Sequence, residues 1–203
     1  MVTFTDHMVG DAQISKYPSV KTQILLANTS SKLSDYFTKI HSRCNGTYDA
    51  SFTFSISHFG DIYQHYNPLH YTNLFGIPDI DSQIISVGLE NVGWLTTKDG
   101  SDDFFDWKGS IYKGEVHGKL WRGYSKWADY PPEQIQAMLR LIEELIKGYN
   151  IKPSFSGTNL PMEEAKGFQG VLNRSNYFKY YYDLSPAALP YFDYINDTIK
   201  TIK

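Results

Sequence analysis

Apolar positions recur along the chain with two periods, and these separate strands from helices. The stretch QILLANTSS carries a continuous apolar run from Ile24 to Ala27, then turn-forming Asn28, Thr29 and Ser30, the pattern of a buried strand that ends in a loop. In residues 31–43 the apolar residues Leu33, Tyr36, Phe37 and Ile40 fall at three- and four-residue spacing, which predicts a short amphipathic helix stopped by the NGT at 45–47. Apolar character alternates through Phe52, Phe54 and Ile56, breaks at HFGD and resumes at Ile62, so a hairpin is expected there. QIISVGLENVGWL, residues 83–95, is more continuously apolar and reads as one central strand, with Gly88 allowing close packing and Glu90 an unexpected charge.

Residues 96–131 show neither period and read as loop-rich, without repeats or low complexity. The strongest helix follows: Pro131 and Pro132 suit its start, Ile135, Met138, Leu139, Ile142, Leu145 and Ile146 make one face, and Gly148 is placed to cap its end. A last helix places Tyr191, Ile195, Ile199 and Ile202 on one face. Strands and helices mixed in this order predict an α/β fold with a single mixed central sheet flanked by helices. At 203 residues one core is expected, divided into a polar arm at 1–20 and a domain at 21–203 that ends in the C-terminal helix. Ligands on such sheets bind beyond strand ends, where the loops carrying Asn28, His70 and Arg174 are expected to converge.

A formal net charge of −3 offers no cationic field for nucleic acid or an anionic membrane surface. Cys44 is the only cysteine, which excludes an intrachain disulfide, a Cys-rich zinc site and a CxxC motif. The beginning of the chain lacks a basic and apolar leader pattern, and no apolar run approaches the roughly 18 residues of a membrane span, so neither export by a standard signal nor membrane insertion is expected. The 16 Tyr, 12 Phe and 4 Trp suit either a stacking groove or an extensive protein interface, and equally a Tyr-rich core.

Four pieces, in order, resemble the zinc-dependent N-acetylmuramoyl-L-alanine amidases of type 2, relatives of the peptidoglycan recognition proteins: ILLANTS, ASFTFSISHFGDIYQHYNPLHY, SVGLENVGWL, and the long helix followed by GVLNRSNY and DLSPA. The resemblance covers roughly residues 20 to 190 and implies an amidase-like fold. Carried across position by position, it also implies a dismantled metal site. The family's first histidine ligand corresponds to Ala27, its second to Arg174, and its third ligand, an aspartate or cysteine, to Asp183. A hydrolytic zinc site needs three protein donors and an open position, and guanidinium has no lone pair to give. Zinc is therefore expected to be absent, no other cofactor is implied, and Arg174 is expected to pair with Asp183.

Two assisting positions of the family are changed as well, to Phe52 and Tyr181, while Glu90 matches a strand glutamate that acts as a base in some relatives. Without a metal-bound water, Glu90 has no good nucleophile to activate, and a packing role is favoured. His70 matches a groove-lining histidine of relatives, with an ordinary loop histidine an equal reading. His7, His41, His58, His65 and His117 show no metal-cluster spacing and read as surface or turn residues, and Cys44 reads as a free thiol. WRGYSKW, residues 121–127, is either a ligand-facing aromatic element or, preferably, an anchor for the loop region.

The resemblance implies a phage-encoded, catalytically inactive amidase-like protein acting in the virion or tail by contact with other subunits. Two alternatives stay open: a module that binds peptidoglycan without cutting it, through a groove lined by Asn28, His70, Glu90, Arg174 and Asp183; and an active amidase with a rearranged site built from His70, Glu90 and Asp183.

Overall fold

The computed structural model describes residues 3–6, 14–42, 50–157 and 160–202. Cys44, the NGT stop and His7 lie outside the described residues, as do the side chain of His41 and part of the 1–20 arm. The elements, in chain order, are β1 (Thr5–Asp6), β2 (Gln23–Asn28), α1 (Leu33–Ser42), β3 (Phe54–Ile56), β4 (Ile62–Gln64), α2 (Pro78–Asp81), β5 (Ile84–Leu89) and β6 (Trp94–Thr97). They continue with β7 (Phe104–Phe105), β8 (Ile111–Tyr112), β9 (Val116–Trp121), β10 (Tyr124–Ala128), α3 (Pro132–Tyr149), α4 (Met162–Gly167), β11 (Gly170–Asn173), α5 (Arg174–Tyr177), a 3₁₀ turn at Pro186–Ala188 and α6 (Leu189–Thr201).

The central sheet has the order β1-β4-β3-β5-β2-β11. Strands β3, β5, β2 and β11 run parallel, and β4 folds back antiparallel on β3 as the expected hairpin. Parallel strands are covered on both faces, which is why β2 and β5 read as unbroken apolar runs: every residue of both is buried. On one face Ile24, Leu26, Val87 and Leu89 pack with α3 and α6 through Met138, Ile142, Ile195 and Ile199. On the other, Ala27 and Phe52 pack with α1, and Leu25 and Leu172 with the α2, α4 and α5 region. Gly88 lets Phe52 lie against β5, since a Cβ there would come within 2.3 Å of the ring.

Three readings need correction. The 83–95 stretch is not one strand: β5 ends at Leu89, and the chain swings out through buried Asn91 and Gly93 at φ 85° to begin β6 in another sheet. The Asn91 amide fixes that exit by donating to the carbonyls of Ala128 and Asp129 and accepting from the Gly93 amide. Residues 96–131 are not mainly loop. They complete a five-stranded antiparallel sheet, β8-β7-β6-β10-β9, whose strands are short and half-exposed and so carry little hydrophobic periodicity. Finally, α3 runs past Gly148 to Tyr149 and is closed by Asn150 in the left-handed region, φ 53°.

The arm also does more than lead into β2. Its Thr5–Asp6 segment adds a parallel edge to β4, and Ser15 and Ser19 donate backbone bonds to the carbonyls of Tyr71 and Leu69.

Candidate functional site

The carboxyl ends of the four parallel strands place Asn28, Glu90 and Arg174 along one edge of the sheet, the position at which open α/β sheets hold ligands. Asn28 closes β2, and Arg174 follows β11 directly. The Arg174 guanidinium folds across the end of β2. Its Nε donates to Asp183 Oδ2 at 2.6 Å, and its Nη2 to Asp183 Oδ1 at 3.0 Å and to the Asn28 carbonyl at 3.1 Å. The Asn28 amide donates to the same Asp183 Oδ1 at 2.6 Å. The pair is nearly dry, with side-chain exposures of 13% for Arg174 and 2% for Asp183.

Burial alone would lower the Arg174 pKa, but the facing Asp183 carboxylate more than offsets it, so the guanidinium is held above its ordinary value. Two rings complete the setting. Tyr181 lies 4.3 Å and Phe52 5.6 Å from the guanidinium carbon, both within cation–π range. Asn28 is tied from below as well: its Oδ1 accepts from the Tyr130 hydroxyl at 2.6 Å, and burial raises the pKa of that phenol so that it stays a neutral donor.

Beside this network opens a cavity of about 320 Å³, lined by Asn28, Arg174 and Asp183 and walled by Trp94, Trp107 and Tyr180 to Tyr182. Trp107 is fixed at its mouth by an indole N–H donated to the Ser30 carbonyl at 2.7 Å, and Ser30 itself sits at φ 57°. Trp94 stacks on Tyr124 with centroids 4.3 Å apart.

The other two sequence candidates do not line this cavity. Glu90 faces backbone: its carboxylate accepts from the Leu33 amide at the start of α1 and from the His58 amide in the β3–β4 turn, both at 3.1 Å. That is a capping role, which stabilises the positive end of the helix. The His70 ring lies against the arm, its Nδ1 2.8 Å from the Ser15 carbonyl. Glu90 and His70 thus lie apart from the cavity at Asn28, Arg174 and Asp183. Among the described residues no group of three His, Cys, Asp or Glu side chains is placed to hold a metal.

His65 is a further correction. It is no turn residue but fully buried, with Nε2 2.8 Å from Ser55 Oγ and its ring against Tyr36 and Phe37.

No model of a known protein family matches the chain, and no curated protein does. Solved structures match over nearly its whole length. The catalytic domain of PlyG aligns with TM-score 0.57 at 13% identity, covering 99% of this chain and 95% of that one. PlyL aligns at 0.56 and 12% identity over 100% and 99%. A mutant endolysin from Bacillus subtilis aligns at 0.56 and 14% identity over 98% and 99%.

The chain has an endolysin-type fold. At such low identity the likeness extends to the fold alone. Within that endolysin-type scaffold, three site residues escape the sequence pattern: Trp94 falls in a stretch that reads as one central strand, Trp107 and Tyr130 in a segment without periodicity, and all three meet the strand ends only in the folded chain. WRGYSKW resolves as an anchor. Trp121 to Tyr124 form a two-residue hairpin turn, with Arg122 at φ 48° and Gly123 at φ 88°. From that turn Arg122 donates to the carbonyls of Ser175, Lys179 and Tyr181, pinning the aromatic loop.

Proposed function

We propose that this chain is a non-hydrolytic amidase-like domain that acts by contact, as a structural or interaction component of a phage virion or tail. The observation that carries this reading is the bidentate Arg174–Asp183 pair at the end of β2. A zinc ion does not fit the donor set at these positions. Ala27 has only a methyl group, buried against Phe52 and Tyr36; Arg174 brings a fixed cation; and the Asp183 carboxylate already accepts from Arg174 and from the Asn28 amide.

The changed positions also complement one another. Phe52, Tyr181 and Asp183, three positions at which the amidase resemblance places assisting groups or a ligand, all contact the guanidinium of Arg174, which stands at a fourth. A site that had lost one ligand by chance would leave the remaining carboxylate unpaired, at a substantial desolvation cost. Here the replacement set is mutually satisfied, as expected of a scaffold kept for purposes other than hydrolysis.

A second reading is supported by the aromatic-walled cavity: a module that binds peptidoglycan without cutting it. Metal analysis of purified protein together with incubation on cell walls tests the main proposal. We expect far less than one zinc per chain and no soluble muropeptides; stoichiometric zinc with chelator-sensitive release overturns it. Sedimentation with purified cell wall then separates the two contact roles, because a purely structural subunit stays in the supernatant and is found instead in purified particles.

A further inference from the structure

A second cavity, of about 530 Å³, shares Tyr180 with the one described above and falls in the size range of small-ligand sites. Its walls include Arg122, Met162, Ser175, Phe178, Lys179 and Tyr180. Two independent features mark it.

Among the described residues, the charged ones lining the cavity are Arg122 and Lys179, with no carboxylate, on a chain whose net charge is −3. Finally, Phe178 and Tyr180 stack with centroids 5.3 Å apart and planes inclined by 24°, Phe178 is backed by Phe75 at 5.3 Å, and Tyr180 stays 59% exposed. The result is a stacked ring pair whose outer member, Tyr180, is exposed.

We infer that this cavity binds a saccharide carrying a carboxylate. The C–H face of a pyranose lies on the exposed Tyr180 ring, and the carboxylate is met by the Lys179 ammonium and the edge of Arg122. A peptide strand is a poorer occupant, because Arg122 already holds the carbonyls of Ser175, Lys179 and Tyr181 that main-chain recognition would use. The inference does not depend on whether the Arg174–Asp183 site hydrolyses anything.

The test is calorimetric titration of the whole chain with tetragalacturonate, a hyaluronan tetramer and sialyllactose, alongside neutral maltotetraose and an acidic peptide. At least one acidic saccharide binds saturably, and at least about tenfold more tightly than the neutral one and the peptide. Tyr180→Ala and Lys179→Gln each weaken it by about tenfold. No heat with any of the three acids, equal binding of the neutral sugar, tighter binding of the peptide, or binding indifferent to Tyr180→Ala in a folded variant overturns the inference.

Discussion

Arg174 and Asp183 form an ion pair in a nearly dry setting. Removing one leaves the other buried and unpaired, so Arg174→Met is expected to cost about 3–5 kcal/mol, and the Arg174→Met, Asp183→Leu double change much less than the sum. Urea denaturation of the three variants measures this, and additivity would show the pair to be energetically uncoupled. Lys21 is a different case. Burial drives its pKa down from 10.5 to about 7, only partly offset by Asp81, while its ammonium donates to the Ser82 carbonyl at 2.8 Å. The unfolded chain therefore holds the extra proton between those two values. Stability should be lowest below pH 7 and rise as pH climbs toward 10.5, and Lys21→Met should remove much of that rise in denaturation midpoints measured across the window.

At the scale of elements, Glu90 joins three pieces: the end of β5, the start of α1 and the β3–β4 turn. Glu90→Gln replaces one acceptor by an amide that meets another N–H, so a loss of about 1–3 kcal/mol is expected, with faster hydrogen exchange at the Leu33 and His58 amides. Unchanged exchange at both would remove Glu90 from the capping role. Gly88→Ala should be costly for a steric reason, since the new methyl meets the Phe52 ring at 2.3 Å. We expect a loss of about 1–3 kcal/mol, largely recovered when Phe52 is shortened to Leu in the same chain. Elements were legible in the sequence where burial was one-sided or complete. Helix α3 and strands β2 and β5 show this, because their apolar positions answer to a sheet or a helix face. Strands β7 to β9 were not legible, because their half-exposed residues owe their pairing to register with distant partners.

For the whole molecule, zinc or a chelator should leave the melting temperature unshifted, since a ligand that does not bind the native state cannot stabilise it. Calorimetric scans with each addition check this, and a rise of several degrees with zinc would point to a metal site. Several features were set by the sequence alone: the α/β class, the strand that carries Asn28, and the chemistry at Ala27, Arg174 and Asp183. Side-chain identity fixes which atoms can donate, accept or carry charge, and the fold decides which of them meet. Only the tertiary structure decided that Glu90 turns to backbone amides, that His70 lies against the arm, and that Trp94, Trp107 and Tyr130 join the site from a second sheet and the chain that follows it. Those contacts join residues far apart in the chain, and no local pattern encodes them; they follow from which strand edges meet when the core closes.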